Sequence, residues 1–575
     1  MVQFFYSYVQ QISGGQLIDS WPSLLALFKE GLQLSLSPPA VFLLLGILNE
    51  FILKVPMFEE RKDQKDLQDI TQKLLEACSE IAGASLEQTT WLRRNLAVKP
   101  GPQMDLLEHE EALDAEHDDG APLPPPAENK SYRQYSVQAL IMLAELIAPL
   151  LDVIYSSDEK EKVVPFLNST MHHVFPYLRN HSPHNLPSFR ASSQMLASMS
   201  SYQYTRKAWR REAFDLLLDS SFFQMDEVCI GYWCTIIDNL MTHDKVTFKD
   251  LLARVIVTPS GSLSLFSSRE QEFEQKAQLL KRLSYTLFCS EVDQYQRYMP
   301  DIQERLADSL RMSSVPSVQT QVFLCFRVLI LRMSPQHLVS LWPTIITELV
   351  HVLLQFEQDL IPDADEVTSQ LARLANMDST WALGNGVSGH HHPSFLQLYL
   401  AACKLLDMAL VLPTEALPQF QLYRWAFTGD PGVCLDALEL DNQTVKQLKE
   451  SSPGFLPHVF RINRLMNLRF GTVTPQDRIA GQLLLRSTHI RSVRDLHIFF
   501  TTVANSAQSV DSFTCDQTLK QNRESGVPKS KSAPSDLSNG TLSSSPLKSP
   551  ASQRTARMNI EKIIEADFLE NMPRV

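Results

Sequence analysis

Glycine is scarce, at 19 of 575 positions, so little of the chain carries the entropic penalty that weakens helices, and a large helical core is within reach. Positive charge is in deficit as well. A net charge of −13 argues against generic nucleic-acid binding, which depends on Lys and Arg displacing phosphate counterions. Cysteine shows no pairing pattern: Cys78, Cys229, Cys234, Cys289, Cys325, Cys403, Cys434 and Cys515 are scattered, mostly inside apolar runs. That distribution predicts buried, reduced thiols of a cytosolic protein. Long uninterrupted apolar runs are missing too. Ala40 to Val55 is broken by Asn49 and Glu50, short of the roughly 20 residues a span needs. Ala139 to Ile154 carries Glu145, Pro149 and Asp152. The opening MVQFFYSYVQQ has neither the basic stretch nor the cleavage site of a signal peptide. No transmembrane span is expected, and any membrane contact is expected to be peripheral.

What is present is helical periodicity, most clearly in QVFLCFRVLILRMSPQHLVSLWPTIITELVHVLLQF, Gln321 to Phe356. From Val322 to Met333 the pattern is apolar all round except for Arg327 and Arg332. Such a helix must be covered on most sides by others. Ser334-Pro335 then places an N-cap residue and a first-turn proline. From Trp342-Pro343, Thr344, Thr347, Glu348, His351 and Gln355 share a polar face opposite Ile345, Ile346, Leu349, Val350 and Leu353. A buried helix beside a half-exposed one is the unit of an α-solenoid.

Composition shifts divide the chain. Residues 1–98 read as an N-terminal helical segment, with a helix pair at 17–56 and a long amphipathic surface helix at 59–97. Residues 99–131 read as an acidic, proline-rich linker and 132–358 as the main solenoid, with Thr205 as a helix cap and helices at 269–291, 293–312 and 317–333. Residues 359–393 read as a flexible loop. Residues 394–504 read as a C-terminal helical segment, with helices at 394–412, 443–450, 457–467 and 491–502. Residues 505–575 read as a disordered Ser/Pro/Lys-rich tail ending in a short amphipathic segment. That last segment, NIEKIIEADFLENM, has Ile560, Ile563, Ile564 and Phe568 on one side and could dock on the array or on a partner. Apolar-Pro-x-apolar recurs at Pro165, Pro176, Pro300 and Pro343. The last two lie 43 residues apart, within the roughly 40–47-residue period of HEAT and armadillo units. Proline in the first turn of a helix costs little, because its missing N–H had no partner. The expected fold is all-α, an irregular HEAT/armadillo-like helical solenoid, with an irregular bundle as the alternative.

Motifs for chemistry are weak. Gly384 to Gly389 matches G-x-G-x-x-G, but a dinucleotide site requires a strand before it and a helix after it, and polar loop sequence flanks it here. His390-His391-His392, His172-His173 and Cys229-x4-Cys234 lack the further ligands that would complete a metal site. No nucleophile elbow, P-loop or H-E-x-x-H occurs. Hence no catalytic, cofactor-binding or metal residues are expected. Leu324, Leu331, Leu338, Ile345 and Val352 are spaced by sevens, as are Leu398, Leu405 and Leu412, but prolines interrupt the first series and end the second, so both read as core stripes. Two regulatory features remain. Ser545 and Ser549 each precede proline and fit proline-directed phosphorylation. Arg206, Lys207, Arg210 and Arg211 form a basic patch, either for an acidic surface or as the wet face of an amphipathic helix.

AELIAPLLDVIYSSDEKEKVVPFL, VFPYLRNHSPHNLPSFRASSQML, SYQYTRKAWRREAFDLLLDSSFFQMD and RMSPQHLVSLWPTIITEL occur in order over Tyr132 to Leu360, and there the chain resembles the carboxyl-terminal region of the Dopey family. The resemblance implies a large peripheral protein on the cytosolic face of Golgi (trans-Golgi network) and endosome membranes. It implies partnership with a large scaffold related to Arf exchange factors, and links to aminophospholipid flippases, kinesin and endosome-to-Golgi recycling. It implies no catalytic motif. It also implies that this chain is a C-terminal piece or short form without the family's amino-terminal part. The expected function is a non-enzymatic scaffold or adaptor in Golgi–endosome trafficking; the alternatives are a regulatory or scaffold subunit of another cytosolic complex such as a phosphatase, and, remotely, an enzyme. Deleting Thr320 to Phe356 is expected to abolish the array's cooperative, strongly helical melt by circular dichroism. Retention of that melt would overturn the central place given to this stretch.

Overall fold

The computed structural model describes residues 2–34, 36–55, 58, 60–97, 128–256, 269–312, 315–361, 393–428, 456–476, 482–485, 490–507 and 550–569. Among these, every regular element is an α- or 3-10 helix. The helices are α1 (Val2–Gln11), α2 (Gly14–Asp19), α3 (Trp21–Gln33), α4 (Pro38–Lys54), α5 (Arg61–Ala97), α6 (Glu128–Ile154), α7 (Val164–Leu178), α8 (Leu186–Ser200), α9 (Arg206–Leu218), α10 (Glu227–Thr242) and α11 (Lys245–Ile256). They continue with α12 (Arg269–Phe288), α13 (Met299–Met312), α14 (Pro316–Arg332), α15 (Pro335–Leu338), α16 (Trp342–Leu360), α17 (Pro393–Val411), α18 (Pro418–Thr428), α19 (His458–Phe470), α20 (497–507) and α21 (Pro550–Phe568). Two compact units result. One lies within Met1–Phe248 and the other is Lys249–Phe568.

In the first unit alternate helices stack in two layers. α6 packs on α8 and α8 on α10, while α5 packs on α7 and α7 on α9; consecutive helices then join the layers. This serial, nearest-neighbour packing is that of a solenoid. Carbonyls facing the neighbouring helix are satisfied by side chains from it. Tyr177 Oη donates to the Ala82 carbonyl at 2.5 Å, Ser136 Oγ to Ile81 at 2.9 Å and Tyr204 Oη to Ala148 at 2.7 Å. Lys54 Nζ donates to three carbonyls at the end of α1, those of Val9, Gln10 and Ile12, at 2.7 to 2.9 Å. A cation there meets both the orphan acceptors and the negative pole of the helix dipole. Gly83 permits a close approach, since a Cβ at that position would lie 2.7 Å from the His173 ring.

Gln134–Ile154 of α6 is long and apolar enough to cross a membrane by length and composition, despite Glu145 and Pro149, and half of it is buried. Its contacts are those of a core helix: Leu140, Leu143, Ile147 and Leu151 are fully buried between α5 and α8.

In the second unit α12, α14 and α17 form the spine, with α16 against α17 and α19 and α18 against both α16 and α19. α14 is covered as its pattern required, with every residue from Val322 to Leu331 buried. α16 keeps most of the expected stripe, burying Ile345, Ile346, Leu349 and Leu353, while Val350 is only half-buried. The heptad residues Leu324, Leu331, Leu338, Ile345 and Val352 are all buried but fall on three separate helices.

Several local expectations are corrected. Pro165, Pro300 and Pro343 stand in first turns, but Pro176 lies inside α7 near its end. The helix expected from 293 begins at Met299, because Asp293 takes a left-handed φ of 63°, which no α-helical residue can hold. The Asp293 carboxylate accepts from Ser334 N at 2.7 Å and from Ser334 Oγ, so Ser334 occupies the N-cap position while its hydroxyl serves Asp293. Thr205 precedes α9 but donates to the Met199 and Tyr202 carbonyls rather than capping. The linker core at 99–127, the loop interior with Gly384 to Gly389 and His390 to His392, the helix at 443–450, and Ser545 and Ser549 lie outside the described residues.

Burial sets the thiol chemistry. It pushes Cys78 and Cys325 up to about 12 and Cys229 up to about 11. These groups stay protonated at pH 8, and the stability they contribute is lost as pH rises above the unfolded-thiol value, because only unfolded thiols then ionise. Iodoacetamide at pH 8 should modify these three cysteines at least about 100-fold more slowly in the native chain than in guanidinium, read site by site by peptide mass spectrometry. Equal rates would mean that these helices do not exclude solvent.

Candidate interaction site

Ionic groups inside the second unit lie between helices, and the densest cluster surrounds α14. Arg327, one of the two charged interruptions in that helix, is buried with its side chain 3% exposed. Its Nη1 donates to Asp567 Oδ2 of α21 at 2.6 Å, and Lys404 Nζ of α17 donates to Asp567 Oδ1 at 2.5 Å. One carboxylate therefore joins two buried cations from two different helices. Burial pushes the Lys404 ammonium below its usual range, against the upward pull of Asp567 beside it. Arg332, the second interruption, pairs with Glu561 of α21 at 3.0 Å, donates from Nε to the Phe288 carbonyl at 2.8 Å and lies over the Phe288 ring.

Helix α21 fits this cluster by its own pattern. Ala556, Ile560, Ile564 and Phe568, four apart, make a single buried row. The Phe568 ring meets Tyr285 edge-on at 5.1 Å and Phe288 at 5.6 Å. Arg557 Nη2 donates to the Leu331 carbonyl at 2.8 Å, which four residues later finds Pro335 and so no amide to accept from. The terminal segment thus docks on the array.

A second buried cluster joins α16 to α19. Glu357 accepts from His458 Nδ1 at 2.7 Å and pairs with Arg461. Tyr399 of α17 donates to the Asp359 carboxylate, and Arg469 of α19 to the Asp359 carbonyl at 2.7 Å. Asp407 accepts from the backbone amides of Leu484 and Leu485 at 2.6 and 3.1 Å, pinning that segment to α17. In the first unit, Gly31, Val41, Leu44, Leu74, Ile81 and Tyr135 border a largely apolar cavity of 410 Å³ between α3, α4, α5 and α6.

The basic patch is partly neutralised. Arg206 and Arg210 both reach Asp244, at 3.0 and 2.8 Å, and Lys207 reaches Glu161 at 2.9 Å, while Arg211 is exposed. The His172-His173 pair splits, with His172 exposed and His173 half-buried against Ser79 at 3.1 Å. Among the described residues no group of three or more His, Cys, Asp and Glu side chains is placed to hold a metal ion. Sequence reasoning singled out Arg327, Arg332 and the Ile/Phe row of α21 but did not join them. The signal was charge complementarity between two buried arginines and the two carboxylates flanking that row. Glu357 and Asp407 were missed, because a carboxylate in an amphipathic helix looks the same in sequence whether it faces water or a neighbour.

Stacked helix pairs tied by interior ionic links define an α-helical solenoid protein. The family description "DOP1 C-terminal" matches residues 4–377, reaching well before Tyr132, and the chain belongs to the DOP1, or Dopey, family. It is 44% identical over 528 residues to "Protein DOP1 homolog" of Drosophila melanogaster, covering 89% of this chain and 20% of that one. To "Protein DOP1B" of Xenopus laevis it is 46% identical over 508 residues, covering 88% and 22%. To "Protein pad-1" of Caenorhabditis elegans it is 35% identical over 581 residues, covering 89% and 23%. The chain spans about a fifth of the length of these curated relatives. No solved structure matches it.

Removing the shared carboxylate should destabilise strongly, since two buried cations lose their counter-ion. Asp567→Ala is expected to cost about 3–5 kcal/mol, measured as a lower guanidinium midpoint for the second unit. Asp→Ala at exposed Asp158 should leave the midpoint unchanged. An unchanged midpoint for Asp567→Ala would remove the cluster from any structural role.

Proposed function

We propose that this chain is a non-enzymatic scaffold, the helical end of a Dopey-type adaptor in membrane traffic between endosomes and the Golgi. The carrying observation is where the interior charge goes: Arg327, Lys404, Asp567, Glu357, His458 and Asp407 each join one structural segment to another. Side chains used in this way build a rigid frame, and a solenoid frame offers long surfaces between its repeats for partners. Family membership and the two-layer packing of α5 to α10 support the same reading. On it, the chain works on the cytosolic face of trans-Golgi network and endosome membranes. It binds them peripherally, together with a large scaffold of the Arf-exchange-factor type. A flippase or kinesin connection would run through the same assembly. No cofactor or nucleic acid enters this function. Phosphorylation at Ser545 or Ser549 would add close to two negative charges each and could adjust such contacts.

Proximity labelling in cells, with the full chain and with a form lacking residues 132–357, tests this. The expected outcome is enrichment of the exchange-factor-like scaffold and of Golgi and endosome membrane proteins with the full chain only. Enrichment of a phosphatase catalytic subunit in their place would overturn the trafficking role.

A further inference from the structure

The seat occupied by α21 has the properties of a receptor. Its walls come from α12, α14 and α17, which are contiguous in space, whereas its occupant is separated from α20 by residues 508–549. The seat is also chemically selective without its occupant. It presents two buried cations, Arg327 and Lys404, a third half-buried one, Arg332, and aromatic rings at Tyr285 and Phe288.

The resident helix fills this seat incompletely. Arg327 donates only from Nη1, while its buried Nε and Nη2 have no hydrogen-bond partner. A guanidinium can be met by a carboxylate through two parallel bonds, but Asp567 turns one oxygen to Arg327 and the other to Lys404. Two buried donors left unmet weaken the resident's hold. A helix bringing one more carboxylate to Arg327 would bind better.

We propose that the α12–α14–α17 groove is a docking site for an acidic amphipathic helix of a partner protein, and that α21 is its exchangeable resident. The partner helix carries apolar residues at i, i+4 and i+8, ending in an aromatic, with carboxylates at i+1 and i+7, as Ile560, Ile564, Phe568, Glu561 and Asp567 do, and one further carboxylate for Arg327 Nε and Nη2. This deepens the scaffold reading by naming one binding surface, and it rests on that reading only for the partner's cellular setting. Exchange in the groove is measured on the purified chain, so its failure and the failure of the trafficking role are separate results.

The full chain is prepared with a specific protease site inserted within residues 508–549 and then cut. A fluorescein-labelled peptide of residues 550–575 is added, and anisotropy and circular dichroism are followed together. The expected result is that the cut segment stays bound through gel filtration and is replaced by labelled peptide while helicity is unchanged. The Asp567→Ala peptide should bind at least about 30-fold more weakly. An unrelated helical peptide carrying only the three apolar residues and two carboxylates should compete, and its charge-reversed form should not. Because the substitutions lie in the peptides, the chain itself remains intact. Labelled peptide that enters only when helicity is lost would overturn the proposal and make α21 a permanent part of the core. Equal binding of the charge-reversed peptide would overturn the acidic specificity. Exchange confined to other copies of the uncut chain, with dimers on gel filtration, would replace the partner by a second copy.

Discussion

An arginine inside an apolar helix must find a negative charge or it destabilises the fold that buries it. α14 carries such a residue near its middle, and the rest of the second unit is arranged around that demand. Arg327 brings α21 to α14 through Asp567, and Asp567 brings in α17 through Lys404. Replacing such a network by apolar residues often stabilises a protein, so its presence is a weak argument for stability. It is a better argument for specificity. Ile560, Ile564 and Phe568 would be comfortable against many greasy surfaces, but Asp567 reaches two cations in only one register.

The remaining ionic links follow the same rule at other joints. Glu357 holds α19 to α16, and Asp359 bonds to both α17 and α19 through its side chain and carbonyl. Uncharged contacts do this in the first unit, where Tyr177, Tyr204 and Ser136 donate to helix carbonyls across the layers. These bonds set the rotation of each helix against the next, which hydrophobic burial alone leaves loose. A surface built from many such joints holds its shape, and that is what a scaffold requires.

Much of this was legible in the residues. The all-round apolarity of 322–333 demanded a covered helix, and first-turn prolines marked Pro165, Pro300 and Pro343 correctly, because local sterics decide both. Pro176 broke the rule because a proline near a helix's end forfeits only one hydrogen bond, a loss that packing around Phe175 and Tyr177 can absorb. Asp293 was read as helical since its neighbours are, and only the tie to Ser334, 41 residues on, explains its left-handed backbone. Pairings of that range, like Arg327 with Asp567, leave no local trace, and the candidate site was therefore visible as two unconnected halves.

The separation of 240 residues between Arg327 and Asp567 also has a consequence for how the molecule is made. At roughly 5–20 residues per second of synthesis, α14 leaves the ribosome on the order of 10–50 s before the carboxylate it needs. Lys404 follows Arg327 by 77 residues and Asp567 follows Lys404 by 163, so over the later part of that interval both cations have been made and their shared carboxylate has not. Arg327 can therefore be paired only after Asp567 has cleared the exit tunnel, and α21 joins a spine whose three helices have all been made before it.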